Sequence, residues 1–260
     1  MTDTVSASVQ RLPHGLLTGQ VAVVTGASRG IGRAVCDLFA AHGAVVLACV
    51  RHSSDDLLAW QAQWQAAGAT VELIPLDLTD DASQKDAVKQ IRGSGFAPTV
   101  LVNCAGIASG ATFALTSQAN IRHLFESNLF MQLSWCQLMA RLLARSPHSS
   151  IINVSSSAVQ QIDPGTLAYA ASKAALERMS LSMAVELASQ GVRVNVIAPG
   201  VTDTDMAAQM DSAAREALIA RQLLKKAARP VDIANTALFL ASDLASHLTG
   251  QVIRVDGGLI

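Results

Sequence analysis

Tyr169 is the single tyrosine of a 260-residue chain, and it stands four positions before Lys173 in the run Tyr169-Ala170-Ala171-Ser172-Lys173. On a helix that spacing puts both side chains on one face, with Cβ atoms about 5–6 Å apart. An ammonium group at that range favours the phenolate, so the pair predicts a phenol whose pKa is drawn from about 10 toward neutrality. Such a phenol exchanges a proton near working pH and suits general acid–base chemistry. The plainer alternative is a half-buried helix residue beside a lysine, and the upstream sequence decides between the two.

Upstream, the apolar run Val21-Ala22-Val23-Val24-Thr25 ends in Gly26, and Gly30 and Gly32 lead into Arg33-Ala34-Val35-Cys36-Asp37-Leu38-Phe39-Ala40. The run reads as a buried strand, and the segment after Gly30 repeats apolar residues at helical spacing. Strand, glycine turn and helix together make an anion site: glycine lets the backbone approach a pyrophosphate, while unpaired N–H groups and the dipole at the helix start attract it. Gly26, Gly30 and Gly32 therefore read as a dinucleotide cradle, with three residues and then one between glycines rather than the commoner one and then two.

These features resemble the short-chain dehydrogenase/reductase family over about residues 18–258. The resemblance rests on Thr25-Gly26-Ala27-Ser28-Arg29-Gly30-Ile31-Gly32, on Asn103-Cys104-Ala105-Gly106, and on Asn153-Val154-Ser155-Ser156 ahead of the Tyr169/Lys173 pair. Pro199-Gly200, Leu248-Thr249-Gly250-Gln251 and Val255-Asp256-Gly257-Gly258 complete it. It implies a catalytic tetrad of Asn128, Ser156, Tyr169 and Lys173. Reducing a ketone needs a hydride donor, a proton donor and a group that holds the oxygen as negative charge develops. Tyr169 is then the proton donor in reduction and the base in oxidation, and Ser156 the hydroxyl that polarises the carbonyl. Ser156 is preferred over Ser155 and Ser157 because its thirteen-residue offset from Tyr169 matches the family. By resemblance, Lys173 also bonds the nicotinamide ribose, and Asn128 belongs to a water-linked proton route behind the lysine.

The choice of nicotinamide cofactor turns on the end of the second strand, Val45-Val46-Leu47-Ala48-Cys49-Val50-Arg51-His52. An NAD enzyme carries a carboxylate there for the ribose 2′-hydroxyl. In this chain the family's acidic position is Val50, and Arg51 follows at once. An arginine grips a 2′-phosphate, and Arg29 inside the glycine turn is placed to assist. The expected cofactor is NADP(H). The resemblance assigns Asp77 to the adenine and adds Ser28, Ile31, Leu78, Asn103, Ala105, Gly106, Pro199, Gly200, Thr202 and Thr204 to the cofactor site.

Around these residues strands and helices alternate from end to end. Strands are expected near 20–25, 44–50, 70–76, 98–103, 149–155, 191–197 and 251–255, apolar on both faces as a covered parallel sheet requires. Long apolar helices are expected near 118–145 and 167–189. Gly43, Gly68 and Gly191 are placed to end helices. The fold class is α/β, a single-domain, Rossmann-type, doubly wound parallel sheet of seven strands with helices on both faces. Residues 1–17 read as a loose lead-in and 18–260 as the domain, with the glycine turn, Asn103, Ser156 and Pro199 at strand C-terminal ends, where open α/β sheets bind ligands.

Composition narrows the function classes. A formal charge of −1 gives no basic field for nucleic acid, and no apolar run approaches the roughly 18 residues of a membrane span. Residues 1–19 carry Arg11 as the one fixed basic side chain and lack a continuous apolar segment, unlike a signal peptide, so the expected location is the cytoplasm. Cys36, Cys49, Cys104 and Cys136 show no pair motif and read as reduced core residues, and the six histidines show no ligand spacing, so no metal is expected. Apolar residues reach 50% and charged ones only 15%, against about 25% charged in an average soluble protein. That excess, together with the two long apolar helices, points to subunit interfaces, and the family's pairing of those helices implies a homotetramer.

The resemblance is nearest to 3-oxoacyl-(acyl-carrier-protein) reductases of fatty acid biosynthesis, notably in Thr204-Asp205-Met206 and the closing segment. One departure is that Pro147 and Gln190 stand where such reductases tend to carry basic residues for the acidic carrier; Arg141 and Arg145 are the substitutes at hand. A 3-oxoacyl thioester, with an acyl carrier protein as one candidate partner, therefore stands beside a free or coenzyme A-linked ketone. An NAD-linked alcohol dehydrogenase and a catalytically silent nucleotide sensor complete the alternatives. Asp163-Pro164-Gly165-Thr166-Leu167 is expected to wall the substrate, and residues 201–224 to form a flap over it. Comparing kcat/KM for the two nicotinamide cofactors is expected to favour NADPH, with Arg51→Ala reducing that preference about ten- to a hundredfold, the worth of one charged hydrogen bond. A clear preference for NADH overturns the role given to Arg51.

Overall fold

A computed structural model of the chain describes residues 15–146 and 148–259. Residues 1–14, most of the expected lead-in, lie outside the described residues, as does Pro147. The last part of that lead-in is packed: Leu17 is wholly buried, and its N–H donates to His42 O at 3.1 Å. The folded part therefore begins before residue 18.

Seven parallel strands form one sheet in the order β3-β2-β1-β4-β5-β6-β7. They are β1 Val21–Thr25, β2 Val45–Val50, β3 Val71–Pro75, β4 Val100–Asn103, β5 Ser149–Val154, β6 Val192–Pro199 and β7 Val252–Val255. The order reverses beside β1, between β1 and β4, and open sheets of this kind bind ligands at the carboxyl edge of such a point. Each central strand feeds two cores because its side chains alternate. Ala22 and Val24 of β1 join Val46, Ala48, Val100 and Val102 on one face, whereas Val21 and Val23 join Leu47, Leu101 and Ile151 on the other.

Helices cover both faces. On the first, α1 (Gly30–Ala41), α2 (Asp55–Ala66) and a late C-terminal helix, Pro230–Ala241, pack Phe39, Trp60 and Leu238 against the sheet. On the second lie α3 (Asp81–Gly93), α4 (Gln118–Phe125), α5 (Met131–Leu143) and α6 (Leu167–Leu187), with Ile91, Trp135 and Met139 at their centre. The flap segment holds two short helices, α7 (Asp205–Ala208) and α8 (Ser212–Arg221), which makes Pro230–Ala241 α9. Gly191 ends the helical run from α6 in the left-handed region at φ 73°, which glycine adopts without a Cβ clash.

The expected single helix over 118–145 is interrupted. Glu126–Phe130 forms a π-helical turn between α4 and α5. One extra residue in a turn rotates the following side chains, and such bulges concentrate at functional sites. Here Asn128 points inward with no exposed surface.

Lys173 docks α6 onto the sheet. The residue is 4% exposed, and its Nζ donates to Val154 O, the last carbonyl of β5, at 2.9 Å. A hydrogen bond from a charged donor contributes about 1.5–3 kcal/mol. Burial nevertheless lowers the Lys173 pKa from 10.5 to about 8, with the Cys104 thiol and Glu177 opposing the fall. Below about pH 8 both folded and unfolded chains hold this proton, and the cost of the buried charge is fully present. Between about 8 and 10.5 the unfolded chain binds more protons, so this group makes stability rise with pH. Unfolding free energies measured across that window are expected to climb in the wild type relative to Lys173→Met. Parallel pH curves for the two proteins would show that the ammonium is not penalised by burial.

Candidate active site

The glycine turn after β1 is built for close backbone approach. Gly26 and Gly30 have φ of 66° and 58°, and a Cβ on Gly32 would lie 2.2 Å from Gly26 O. A Cβ on Gly26 would meet Ala105 N at 2.9 Å, which sets the turn after β1 against the turn after β4. Arg29 caps α1 in extended conformation without a side-chain hydrogen bond to the helix start. The first N–H groups of α1 are thus left for an anion, and a dinucleotide pyrophosphate fits them.

The remaining expected cofactor residues divide into those at this carboxyl edge and those engaged elsewhere. Thr204 lies against the turn, its Cγ2 3.3 Å from where a Gly30 Cβ would stand. Ser28 is exposed, and Ile31 is half-buried against the first core. Thr202 is buried and donates to Gly200 O, and Gly200, after Pro199 at the end of β6, packs within 2.7 Å of Asp256 Cα when given a Cβ. Ala105 N donates to Thr25 Oγ1 at 3.3 Å, tying β4 to β1. Asn103 turns away: its Nδ2 donates to Asn153 Oδ1 at 2.8 Å inside the protein. What Asn103 offers the carboxyl edge is the course of its backbone.

Asp77, expected at the adenine, accepts from the Thr79 hydroxyl at 2.7 Å and the Thr79 N–H at 2.9 Å. Those bonds, followed by the nearby charges of Arg51 and His52, hold its carboxyl below the ordinary range, although burial opposes them. Leu78 follows with its carbonyl bonded to Gln84 Nε2 at 2.8 Å. Arg51 is exposed at the end of β2. Arg29, within the glycine turn, pairs with Asp205 of α7 at 3.2 Å. Both ends of the pair are exposed, so it is weak and readily exchanged.

Tyr169 and Lys173 share one face of α6 beside the end of β5, as their spacing requires. Ser156 caps a single 3₁₀ turn, Ser157–Val159, where its Oγ accepts from Ala158 N at 3.2 Å. Its hydroxyl stands close enough to the Tyr169 phenol to favour the phenolate. The expected tuning of that phenol by Lys173 is not what the structure shows. Burial pushes the Tyr169 pKa above its ordinary value, and the opposing effect comes from Ser156. Lys173 spends its charge on Val154 O instead. The helical spacing placed the two groups together, but spacing alone carries no information about a competing carbonyl.

Asn128, brought inward by the π-helical turn, accepts from Ile107 N and donates to Ile107 O, both at 2.9 Å. Its Nδ2 also reaches Ser172 Oγ at 3.1 Å, which in turn donates to Tyr169 O at 2.7 Å. A Cβ on Gly106 would lie 3.2 Å from both Asn128 Oδ1 and Lys173 Nζ. Asn128, Ser156, Tyr169 and Lys173 therefore gather at one place. Glu177, which the sequence reading passed over, joins them: Ser155 Oγ donates to its Oε1 at 2.7 Å. The spacing 169, 173, 177 carried that signal.

The expected substrate wall and flap are joined. Arg221, the last residue of α8, pairs with Asp163 at 2.6 Å and bonds Gln161. The base of the flap is fastened by Asp203 N to Ala228 O at 2.8 Å and Leu224 N to Gly257 O at 3.0 Å.

A family model described as Enoyl-(Acyl carrier protein) reductase matches residues 26–260. The chain is 35% identical to the 3-oxoacyl-(acyl-carrier-protein) reductase of Thermotoga maritima, over 94% of this chain and 99% of that protein. It is also 35% identical to a 3alpha-hydroxysteroid dehydrogenase of Mediterraneibacter gnavus, over 93% and 97%. The crystal structure of a short chain dehydrogenase from Burkholderia cenocepacia in complex with NADP superposes with a TM-score of 0.87 at 30% identity, covering 94% of this chain and 99% of that one. With the glycine turn, the seven-stranded sheet and the Ser156–Tyr169–Lys173 cluster, the chain belongs to the short-chain dehydrogenase/reductase family and is a nicotinamide-dependent oxidoreductase.

Proposed function

We propose that the protein reduces a ketone to a secondary alcohol with NADPH, and that its substrate is a 3-oxoacyl thioester. The observation that carries this reading is the gathering of Ser156, Tyr169, Lys173 and Asn128 at one place, with Lys173 Nζ on Val154 O at 2.9 Å and Asn128 Nδ2 on Ser172 Oγ at 3.1 Å. Burial keeps the Tyr169 phenol protonated at neutral pH, the form from which a proton can be given. NADPH, when bound, supplies the hydride. Tyr169 gives its proton to the carbonyl oxygen, and Ser156 donates a hydrogen bond to the same oxygen as charge develops there. Lys173 stands behind the phenol, and Asn128 holds the Ile107 backbone beside it. That grouping supports the proton route from solvent to Tyr169 and the contact of Lys173 with the nicotinamide ribose. Gly26, Gly30 and the start of α1 hold the pyrophosphate, and Arg51, assisted by Arg29, the 2′-phosphate.

Exposed apolar side chains beside the expected substrate wall support the acyl reading. Phe113, Leu115 and Ile162 are exposed on two loops that Ala111 N joins to Gly165 O at 3.1 Å. A second reading, a free or coenzyme A-linked ketone, is favoured by the exposed Gln190 where a carrier protein would seek a basic residue. Arg141 and Arg145 are exposed at the end of α5 and supply the charge for a carrier on the first reading. Val185, 80% exposed on α6, supports pairing of that helix across a homotetramer interface, and four free cysteines fit the reducing cytoplasm.

NADPH mixed with a panel of 3-oxoacyl thioesters, on carrier protein and on coenzyme A, and with simple ketones is expected to lose its absorbance fastest with one of the thioesters. Silence across the panel would refute the reductase reading. Tyr169→Phe is expected to keep NADPH affinity while kcat falls by about 10²-fold or more, the usual worth of a positioned proton donor. An undiminished rate would remove Tyr169 from that role.

A further inference from the structure

Glu177 stands eight positions after Tyr169 and four after Lys173, so α6 turns all three toward one side. It is 8% exposed, and a carboxylate there is costly unless donors surround it. Its donors come from one short stretch. Ser155 Oγ donates to Oε1 at 2.7 Å, and Gln160 Nε2 donates to Oε2 at 3.4 Å. These residues are the two feet of the turn on which Ser156 stands, between the end of β5 at Val154 and the close of the 3₁₀ turn at Val159. No step proposed above uses this carboxylate.

We propose that Glu177 is a positioning residue for Ser156, gripping both feet of its turn and holding that turn against the helix that carries Tyr169. The inference rests on the reading of Ser156 as the group that holds the substrate oxygen. A carboxylate suits the task because its two oxygens accept from two donors at once, where an apolar side chain would fill the space and hold neither. The grip continues one begun by Lys173. Successive residues at the strand end are held by side chains one helical turn apart: Val154 O by Lys173 and Ser155 Oγ by Glu177. Ser156 needs such support because its own Oγ is committed to Ala158 N as acceptor. The aim of its single hydroxyl proton then follows the placement of the turn. Misplacement by about 1 Å in such a site costs about a hundredfold in rate.

Two variants separate positioning from charge and from packing. Glu177→Gln keeps the volume and an acceptor for Ser155, and the Gln160 amide turns to offer its oxygen to the new amide. Glu177→Ala removes both grips. For Glu177→Ala, kcat is expected to fall about ten- to a hundredfold with NADPH affinity and KM little changed, whereas Glu177→Gln stays within about threefold of the wild type. The second readout needs no turnover. Tyr169 is the single tyrosine, so the near-ultraviolet absorbance of its phenolate reports that residue alone. Both variants lack the Glu177 charge, so their difference reports the Ser156 turn and its packing and not the loss of charge. Displacement of Ser156 from the phenol is expected to make Glu177→Ala titrate above Glu177→Gln. Equal titration and equal kcat in the two variants overturn the proposal. So does a parallel loss of kcat, NADPH affinity and melting temperature, which would mark Glu177 as part of the packing only. If the wild type reduces no ketone, the proposed function fails, while the tyrosine titration still decides the role of Glu177.

Discussion

The hydrogen bond from Lys173 Nζ to Val154 O is the contact on which the site depends. It joins the helix that carries the phenol to the strand that delivers the serine, and it does so with a charge buried beside the second core. A charge in that position is costly, as the fall of the Lys173 pKa to about 8 expresses. Once the lysine is seated, the other groups have few places to go. Tyr169 is one turn back along α6, Ser156 two residues beyond the anchored carbonyl, and Asn128 opposite, drawn in by a widened helical turn. The cost of burying the ammonium is thus offset by a site whose members are placed before any substrate arrives.

The same contact decides the electrostatics. A lysine free to face the phenol would stabilise phenolate and suit a base. A lysine committed to a strand carbonyl leaves burial to dominate, and the phenol stays protonated, with Ser156 as the one group opposing that shift. That state suits the reductive direction, in which a proton must be given up. The glycine turn plays its part through shape alone: Gly26 and Gly32 leave no room for a Cβ, so the backbones after β1 and β4 close together at the carboxyl edge of the sheet.

Much of this was legible in the chain because the signals are local. Parallel strands covered on both faces leave unbroken apolar runs, and all seven were found near their observed limits. The tyrosine, the lysine and the glycines are fixed by spacing within single elements. Relations between elements were less visible. The π-helical turn at Glu126–Phe130 has no pattern in apolar periodicity, so Asn128 was assigned by resemblance rather than by geometry. The commitment of Lys173 to Val154 O, the inward turn of Asn103 onto Asn153 and the pairing of Arg29 with Asp205 each join residues far apart in sequence. Glu177 falls between these cases, since its spacing was readable but its partners lie on β5 and the turn beyond.

The most direct measurement is the ultraviolet titration of Tyr169 in the wild-type, cofactor-free protein, over the pH range in which circular dichroism shows the fold intact. The account requires a phenol held above its ordinary value of 10.0 by burial. Phenolate absorbance should therefore be less than half developed at pH 10. A tyrosine that ionises between about pH 7 and 9 would contradict it, because Lys173 would then be facing the phenol rather than the strand.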